Sequence, residues 1–309
     1  MPISHHSHSG QFCKHAKGSL EQVVLAAINR QFLIYGLSEH VPRYRQVDLY
    51  PEEVDCPLNT LADQFHTFVE EAHRLKTLYA PRIRLLVGLE TEHITALDLD
   101  RLADTLQTYG DRIQYLVGSV HHVNEIPIDF DVETYKRAVV SAADNESDPP
   151  SLEGFLVAYL DAQYDLLQRF HPEIIGHIDL CRLYTPDLRF ADYSRALERL
   201  RRNVRYAVAY GALFEVNAAA FKKGWKTAYP GPDVLDMIRK EGGYFTLSDD
   251  SHGPQTVGLN YGLIQEYLLS AGVDELWYLE ESDVPNAGGR KTRPVRLPGE
   301  WWTNSFWHV

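Results

Sequence analysis

Short apolar, β-rich runs recur along the chain at residues 32–37, 84–89, 115–120, 173–178, 213–216 and 244–247. Each has the length of a strand, and continuous apolar runs of that length fit strands buried on both faces. Between them the period changes. Leu61, Phe65, Phe68, Ala72 and Leu75 recur at intervals of three and four, which makes one apolar stripe along a helix. Ser19 followed by Gln22 is a capping-box start for a helix carrying Val23, Ala26 and Ala27, so a first strand ends near His8. Strand and helix alternate over about seven units, which predicts an α/β protein with a parallel sheet. Periodicity leaves two architectures open, a closed barrel and an open doubly wound sheet.

The pattern breaks in two places. Residues 144–150, DNESDPP, read as a polar loop between helices rather than a linker between separate halves. Residues 286–298 are rich in Gly, Pro, Lys and Arg, and Trp301, Trp302, Phe306 and Trp307 follow. This predicts a loop and then a docked aromatic tail, at about 286–309, on a single domain spanning residues 1–309. With 44% hydrophobic residues the chain has ample material for a large core.

Charge narrows the partners. Forty-three acidic against 30 basic residues give a net charge of −13, which disfavours nucleic acid and anionic membranes and confines any anion site to a local pocket. The three cysteines, Cys13, Cys56 and Cys181, form no CxxC pair, which argues against a disulfide framework or a thiolate zinc site. The apolar stretch 23–28 is too short to span a bilayer and resembles no signal peptide, so a soluble cytoplasmic protein is expected.

Several of the 14 histidines cluster beside carboxylates. His6 with His8, Glu90 with Glu92, His177 with Asp179, and Asp250 with His252 are each two residues apart at the end of an apolar run, so each pair shares one face of its strand. His40 and His121 occupy the same relative position. One such residue is ordinarily a capping or surface group; six strand ends repeating the pattern point to a metal centre at the C-terminal ends of the strands. Imidazole and carboxylate ligands suit Zn, Fe or Mn, and their number exceeds what one tetrahedral ion uses. No GxSxG, GxxxxGK, GxGxxG or HExxH motif supports a rival chemistry, and Cys13 as a nucleophile has little behind it. His66 and His73, seven apart on one predicted helix, read as the edge of a packed face; His93, His171 and His308 carry no assignment.

Together, His6-Ser7-His8-Ser9, Glu39-His40, Gly88-Leu89-Glu90, Gly118-Ser119-Val120-His121, Gly176-His177-Ile178-Asp179 and Asp249-Asp250-Ser251-His252 resemble the motifs of the PHP (polymerase and histidinol phosphatase) superfamily, and within it most of all its histidinol-phosphate phosphatase branch. The resemblance runs in order from His6 to about Gly258, and HSHSGQFCKHA and SEHVP are its more branch-specific parts. It implies a distorted seven-stranded (β/α) barrel with three divalent ions at the C-terminal face. Carried over position by position, it implies that His6, His8, Glu90 and Asp250 hold the first ion. Glu90, bridging, joins His121 and His177 on the second, and His15, His40 and His252 hold the third. His15 is supplied by the resemblance alone. The last motif departs from the usual Ser-Asp-Ala-His by placing Asp249 before Asp250. His5, His122 and Asp249 are the expected bystanders.

The resemblance further implies hydrolysis of L-histidinol phosphate by a metal-bound hydroxide, with Glu90, Asp250 and His252 catalytic and no covalent phosphoenzyme. Three divalent ions against two ligating carboxylates leave a positive pocket in an acidic protein. Arg182, Lys222 and Lys223 are candidates for the phosphate oxygens, Glu92 for the substrate's ammonium, and Asp179 for orienting a ligand histidine. The competing readings are a phosphoesterase that cleaves nucleotide or nucleic-acid diesters and a non-catalytic metal-binding scaffold.

Overall fold

The computed structural model describes residues 2–142 and 151–308; the expected loop at 144–150 lies outside them. Seven parallel strands follow one another in sequence order around a distorted (β/α) barrel: β1 (Ile3–Ser4), β2 (Ile34–Leu37), β3 (Arg84–Glu90), β4 (Tyr115–Gly118), β5 (Ile174–Ile175), β6 (Leu213–Asn217) and β7 (Tyr244–Ser248). Every neighbour in the sheet is also the neighbour in sequence, with helices in between. That settles the question periodicity left open in favour of the barrel.

The seam between β1 and β7 carries no continuous ladder. Ser4 Oγ donates to Asp249 Oδ1 at 2.9 Å across it, and above that a two-residue parallel ladder pairs Ser7 with Ser251 and His8 with His252. The barrel is thus closed at its top by the segments that carry His6, His8, Asp250 and His252.

Local chemistry explains the elements. Ser19 and Gln22 form the expected capping box on the helix Leu20–Asn29. The stripe Leu61, Phe65, Phe68, Ala72 and Leu75 is the buried face of the helix Leu58–Tyr79. The runs at 115–120 and 173–178 are shorter as strands than their apolar pattern. Gly118 lies so close to Pro172, and Gly176 to Ser119, that a Cβ at either position would collide, and beyond these points the chain turns inward with His121 and His177. Inside the barrel, Gly36 and Gly88 leave room for the Tyr115 ring, whose hydroxyl donates to the His5 carbonyl at 2.8 Å.

Residues 286–298 differ from expectation. They contain a strand, β9 (Thr292–Arg296), paired antiparallel with β8 (Trp277–Glu281). This hairpin covers the N-terminal ends of the barrel strands, where Arg290 binds Glu173 at 2.7 Å, Thr292 Oγ1 donates to the Gln114 carbonyl, and the Leu279 amide donates to His5 Nε2. The aromatic tail packs on its own barrel: Phe306 lies 5.6 Å from Phe32 and 5.8 Å from Tyr261, and Trp301 Nε1 donates to the Val273 carbonyl. No helix among the described residues is long and apolar enough to cross a membrane.

Candidate metal centre

The strand ends, with the loop that carries His15, bring the nine expected ligands to one side of the barrel, centred on Glu90. Its Oε1 lies 3.2 Å from His6 Nε2, 3.3 Å from His121 Nε2 and 3.1 Å from His177 Nε2. Its Oε2 lies 3.3 Å from His8 Nε2 and 2.8 Å from His40 Nδ1. Asp250 Oδ1 sits 3.7 Å from both His6 Nε2 and His8 Nε2. Asp250 has a φ of +46°, a left-handed conformation that an aspartate tolerates better than most residues; it interrupts strand alternation between Asp249 and the Ser251–His252 ladder.

Three groupings of donor atoms emerge, each spanning no more than 4.8 Å: His6, His8 and Glu90; Glu90, His121 and His177; and Cys13, His15, His40 and His252. Two further ones link them: His8 with Asp250 and His252 joins the first to the third, and His6 with His177 and Glu215 joins the first to the second. His6 Nε2, His8 Nε2 and His40 Nε2 are buried with no hydrogen-bond partner. Buried imidazole nitrogens facing carboxylates need a proton or a metal between them, so this donor set fits divalent ions.

The electrostatics agree. Burial pulls the pKa of His6, His8 and His121 down, yet the carboxylates overcome it: Glu90, Asp250 and Glu215 raise His6, Glu39 and Glu90 raise His8 to about 9, and Glu92 and Glu90 raise His121. Glu90 and Asp250 are held well below the usual carboxylate range by the histidines, against the opposing effect of burial. In the third grouping burial prevails, lowering His15 to about 3, His252 to about 4, and His40 as well, so these rings present neutral lone pairs.

Three carboxylates outside the expected ligand set orient the histidines. Glu215 Oε2 lies 3.0 Å from His6 Nδ1, while its Oε1 accepts from the His177 amide at 2.7 Å and from Asn217, which also donates to Asp250. Glu39 lies 3.4 Å from His8 Nδ1 and is fixed by the Ser9 amide and hydroxyl. Glu92 Oε2 lies 2.9 Å from His121 Nδ1. Glu215 was legible in the sequence, since Glu215 and Asn217 repeat the spacing of two at a strand end. Glu39 is carried within the Glu39-His40 motif but had no role assigned to it.

Three expectations are corrected. Glu92 is not free for a substrate ammonium: it is buried, bound to His121 and to the amides of His93 and His121, and does not line the cavity. Asp179 orients no histidine; it accepts from Arg182 and from the Gly231 amide. Arg182 is likewise not at the phosphate position, because its buried guanidinium pairs with Asp179 at 2.7 Å and Asp233 at 2.9 Å. Lys222 and Lys223 do line the cavity, exposed at its mouth.

The three expected bystanders, His5, His122 and Asp249, have partners of their own. His5 Nδ1 meets Thr246 Oγ1, His122 Nδ1 lies 3.3 Å from Glu92, and Asp249 accepts from Ser4, Tyr35 and the Gly258 amide. His66 contacts Tyr109 and His73 the Arg112 carbonyl, as helix-edge residues. Cys13 was expected to have no metal role, yet its Sγ lies 3.2 Å from His15 Nε2; burial first, then Glu39, pushes its thiol pKa up. The cavity over the cluster measures about 360 Å³, and its wall away from the metal ligands includes Tyr50, Glu52, Asp129, Phe130, Leu180 and Tyr229.

The chain is similar to several known proteins. The family model described as PHP domain matches residues 4–219. A Schizosaccharomyces pombe protein named "Probable histidinol-phosphatase" is 43% identical over 97% of this chain and 96% of its own length. The Saccharomyces cerevisiae "Histidinol-phosphatase" is 31% identical, with 98% of each chain covered. The crystal structure of histidinol phosphate phosphatase from Lactococcus lactis, complexed with zinc, L-histidinol and phosphate, superposes with a TM-score of 0.61 at 20% identity, over 94% of this chain and 98% of that one.

Proposed function

The chain belongs to the PHP domain family, and from that premise we propose that it is a histidinol-phosphatase, hydrolysing L-histidinol phosphate to L-histidinol and inorganic phosphate with divalent metal ions. The observation that carries this reading is the gathering of these donor groupings, two of them sharing Glu90, beneath one cavity, in a chain whose relatives of that name match it over nearly its whole length.

In this reading three ions of Zn, Fe or Mn are held. His6, His8, Glu90 and Asp250 take the first, Glu90, His121 and His177 the second, and His15, His40 and His252 the third. Divalent ions so held acidify a water for attack on phosphorus and neutralise charge on the leaving-group oxygen. The chain's own part is to aim the donors. Glu215 and Glu92 hydrogen-bond the Nδ1 of His6 and His121, which fixes the ring tautomer and leaves Nε2 for the ion, and Glu39 stands 3.4 Å from His8 Nδ1. Those three carboxylates also offset much of the ions' charge, so the pocket is less positive than its direct ligands alone imply. Lys222 and Lys223 at the mouth then attract the phosphate dianion into an otherwise acidic protein. The 309 residues act as one catalytic unit in the cytoplasm, on a small monoester rather than on nucleic acid or at a membrane.

The test is an assay of purified protein, with Mn, Zn or Fe restored, against histidinol phosphate, other phosphate monoesters and a diester. A clear preference for histidinol phosphate is expected. Equal rates on all monoesters, or faster cleavage of the diester, would remove the assignment, and a trapped phosphorylated protein would remove direct attack by water.

A further inference from the structure

With Glu92 committed to His121, the carboxylate that meets the organic half of the substrate must be sought elsewhere. Among the described residues lining the cavity the carboxylates are Glu52, Glu90, Asp129 and Asp250. Glu90 and Asp250 belong to the metal cluster. Glu52 is exposed at the rim, where water and salt screen its charge. Asp129 differs from all three: its Oδ1 is buried and has no hydrogen-bond partner. A buried carboxylate oxygen without a donor is costly, and because the side chain that carries it lines the cavity, a ligand bound there can bring the donor.

The backbone holds Asp129 in a fixed place relative to the metals. His122–Val123 pairs antiparallel with Ile126–Pro127, and the Ile128 amide donates to the carbonyl of the ligand residue His121 at 2.9 Å. Aromatic rings mark the path from metals to carboxylate. Tyr50 stands edge-on to His15 at 5.2 Å and to His40 at 5.9 Å, and on its other side meets Phe130, the neighbour of Asp129, at 5.2 Å. Tyr50 is itself fixed by the Arg43 guanidinium 4.0 Å from its ring, and Arg43 by Glu53. One end of the cavity therefore suits a phosphate; the other offers aromatic faces and an unsatisfied carboxylate.

We propose that Asp129 is a specificity-determining residue that binds the ammonium of the amino-alcohol half of the substrate, with Tyr50 and Phe130 flanking its ring. The inference rests on the phosphatase reading above and assigns the recognition of the leaving alcohol within it. A protonated amine supplies the charge-assisted donor that Oδ1 lacks, while an uncharged alcohol leaves it unpaired.

The test compares histidinol phosphate with its des-amino analogue, 3-(imidazol-4-yl)propyl phosphate, on metal-loaded wild-type protein and on Asp129→Asn. The wild type is expected to favour the amine-bearing ester by roughly 10- to 100-fold in kcat/KM, the range of a charged hydrogen bond. Asp129→Asn abolishes that preference through KM, with the des-amino ester changed less than about threefold, and Glu52→Gln keeps the wild-type preference. An equal loss on both esters, or retained preference, overturns the role of Asp129. Should Asp129→Asn fail to fold, inhibition of the wild type by L-histidinol against its des-amino alcohol reads the same preference, and Asp129→Ser supplies the second variant. A wild type inactive on histidinol phosphate but active on other monoesters defeats the substrate assignment instead, so the two failures are distinguishable.

Discussion

At the residue scale, Glu215, Glu39 and Glu92 stand behind the histidines of the candidate centre, each facing an Nδ1. Glu215 serves His6 through its side chain and His177 through its amide, so Glu215→Gln weakens metal binding rather than substrate binding. A 10- to 100-fold loss of affinity, roughly, is expected by chelator competition, because partners of this kind contribute that much in other metal sites. Glu92→Gln behaves likewise at His121, and an unchanged metal affinity would return Glu92 to the pool of substrate contacts. The raised pKa of His8, about 9, has a sign that can be checked. At neutral pH the metal-free ring holds a proton, and metal loading must release it. Apparent affinity for the ion therefore rises about tenfold per pH unit below pH 9 for this one proton, and calorimetry in buffers of different ionisation enthalpy measures the release.

At the scale of elements, the spacing of polar residues was more informative than the hydrophobic runs around them. The pairs two apart named the strand ends, whereas the runs at 115–120 and 173–178 overestimated the strands, because Gly118 and Gly176 permit close backbone approach where the chain bends toward the metals. Arg182, Glu92 and Asp179 were misjudged for a shared reason: position after a strand says that a side chain lies near the site, and not which neighbour takes it first. The hairpin of β8 and β9 was hidden by its Pro and Gly content, and it forms because it covers the lower ends of the strands. Gly88 offers a test of how the barrel interior is packed. A Cβ there would strike the Tyr115 ring, so Gly88→Ala destabilises by about 1–3 kcal/mol, measured as a lowered urea midpoint with unchanged slope.

For the whole molecule, the metal centre also closes the barrel. The seam between first and last strands lacks a continuous ladder, and the proposed ligands from both sides, His6 and His8 against Asp250 and His252, meet above it. Removing the ions by chelation lowers the melting temperature by several degrees, as expected for ligands that bind only the folded state. The metal-free protein is also acid-labile. Burial lowers His5 to about 3 against an ordinary value of 6.5, so the unfolded chain takes up a proton that the folded one refuses. That stability is present above pH 6.5 and is lost as pH falls toward 3, by up to about 1.4 kcal/mol per unit; a flatter pH profile in His5→Gln would show it. By itself the sequence determined the α/β class, the strand ends that carry chemistry and the histidine-carboxylate character of the centre, because residue type and spacing are local properties. The first pair, His6 and His8, was readable in this way. Tertiary structure alone decided which carboxylates turn toward those rings, that Arg182 is spent on Asp179 and Asp233, and that Asp129, on the cavity wall, keeps a buried oxygen without a partner. Such choices depend on which distant segments arrive beside a side chain, and periodicity along one strand carries no record of that.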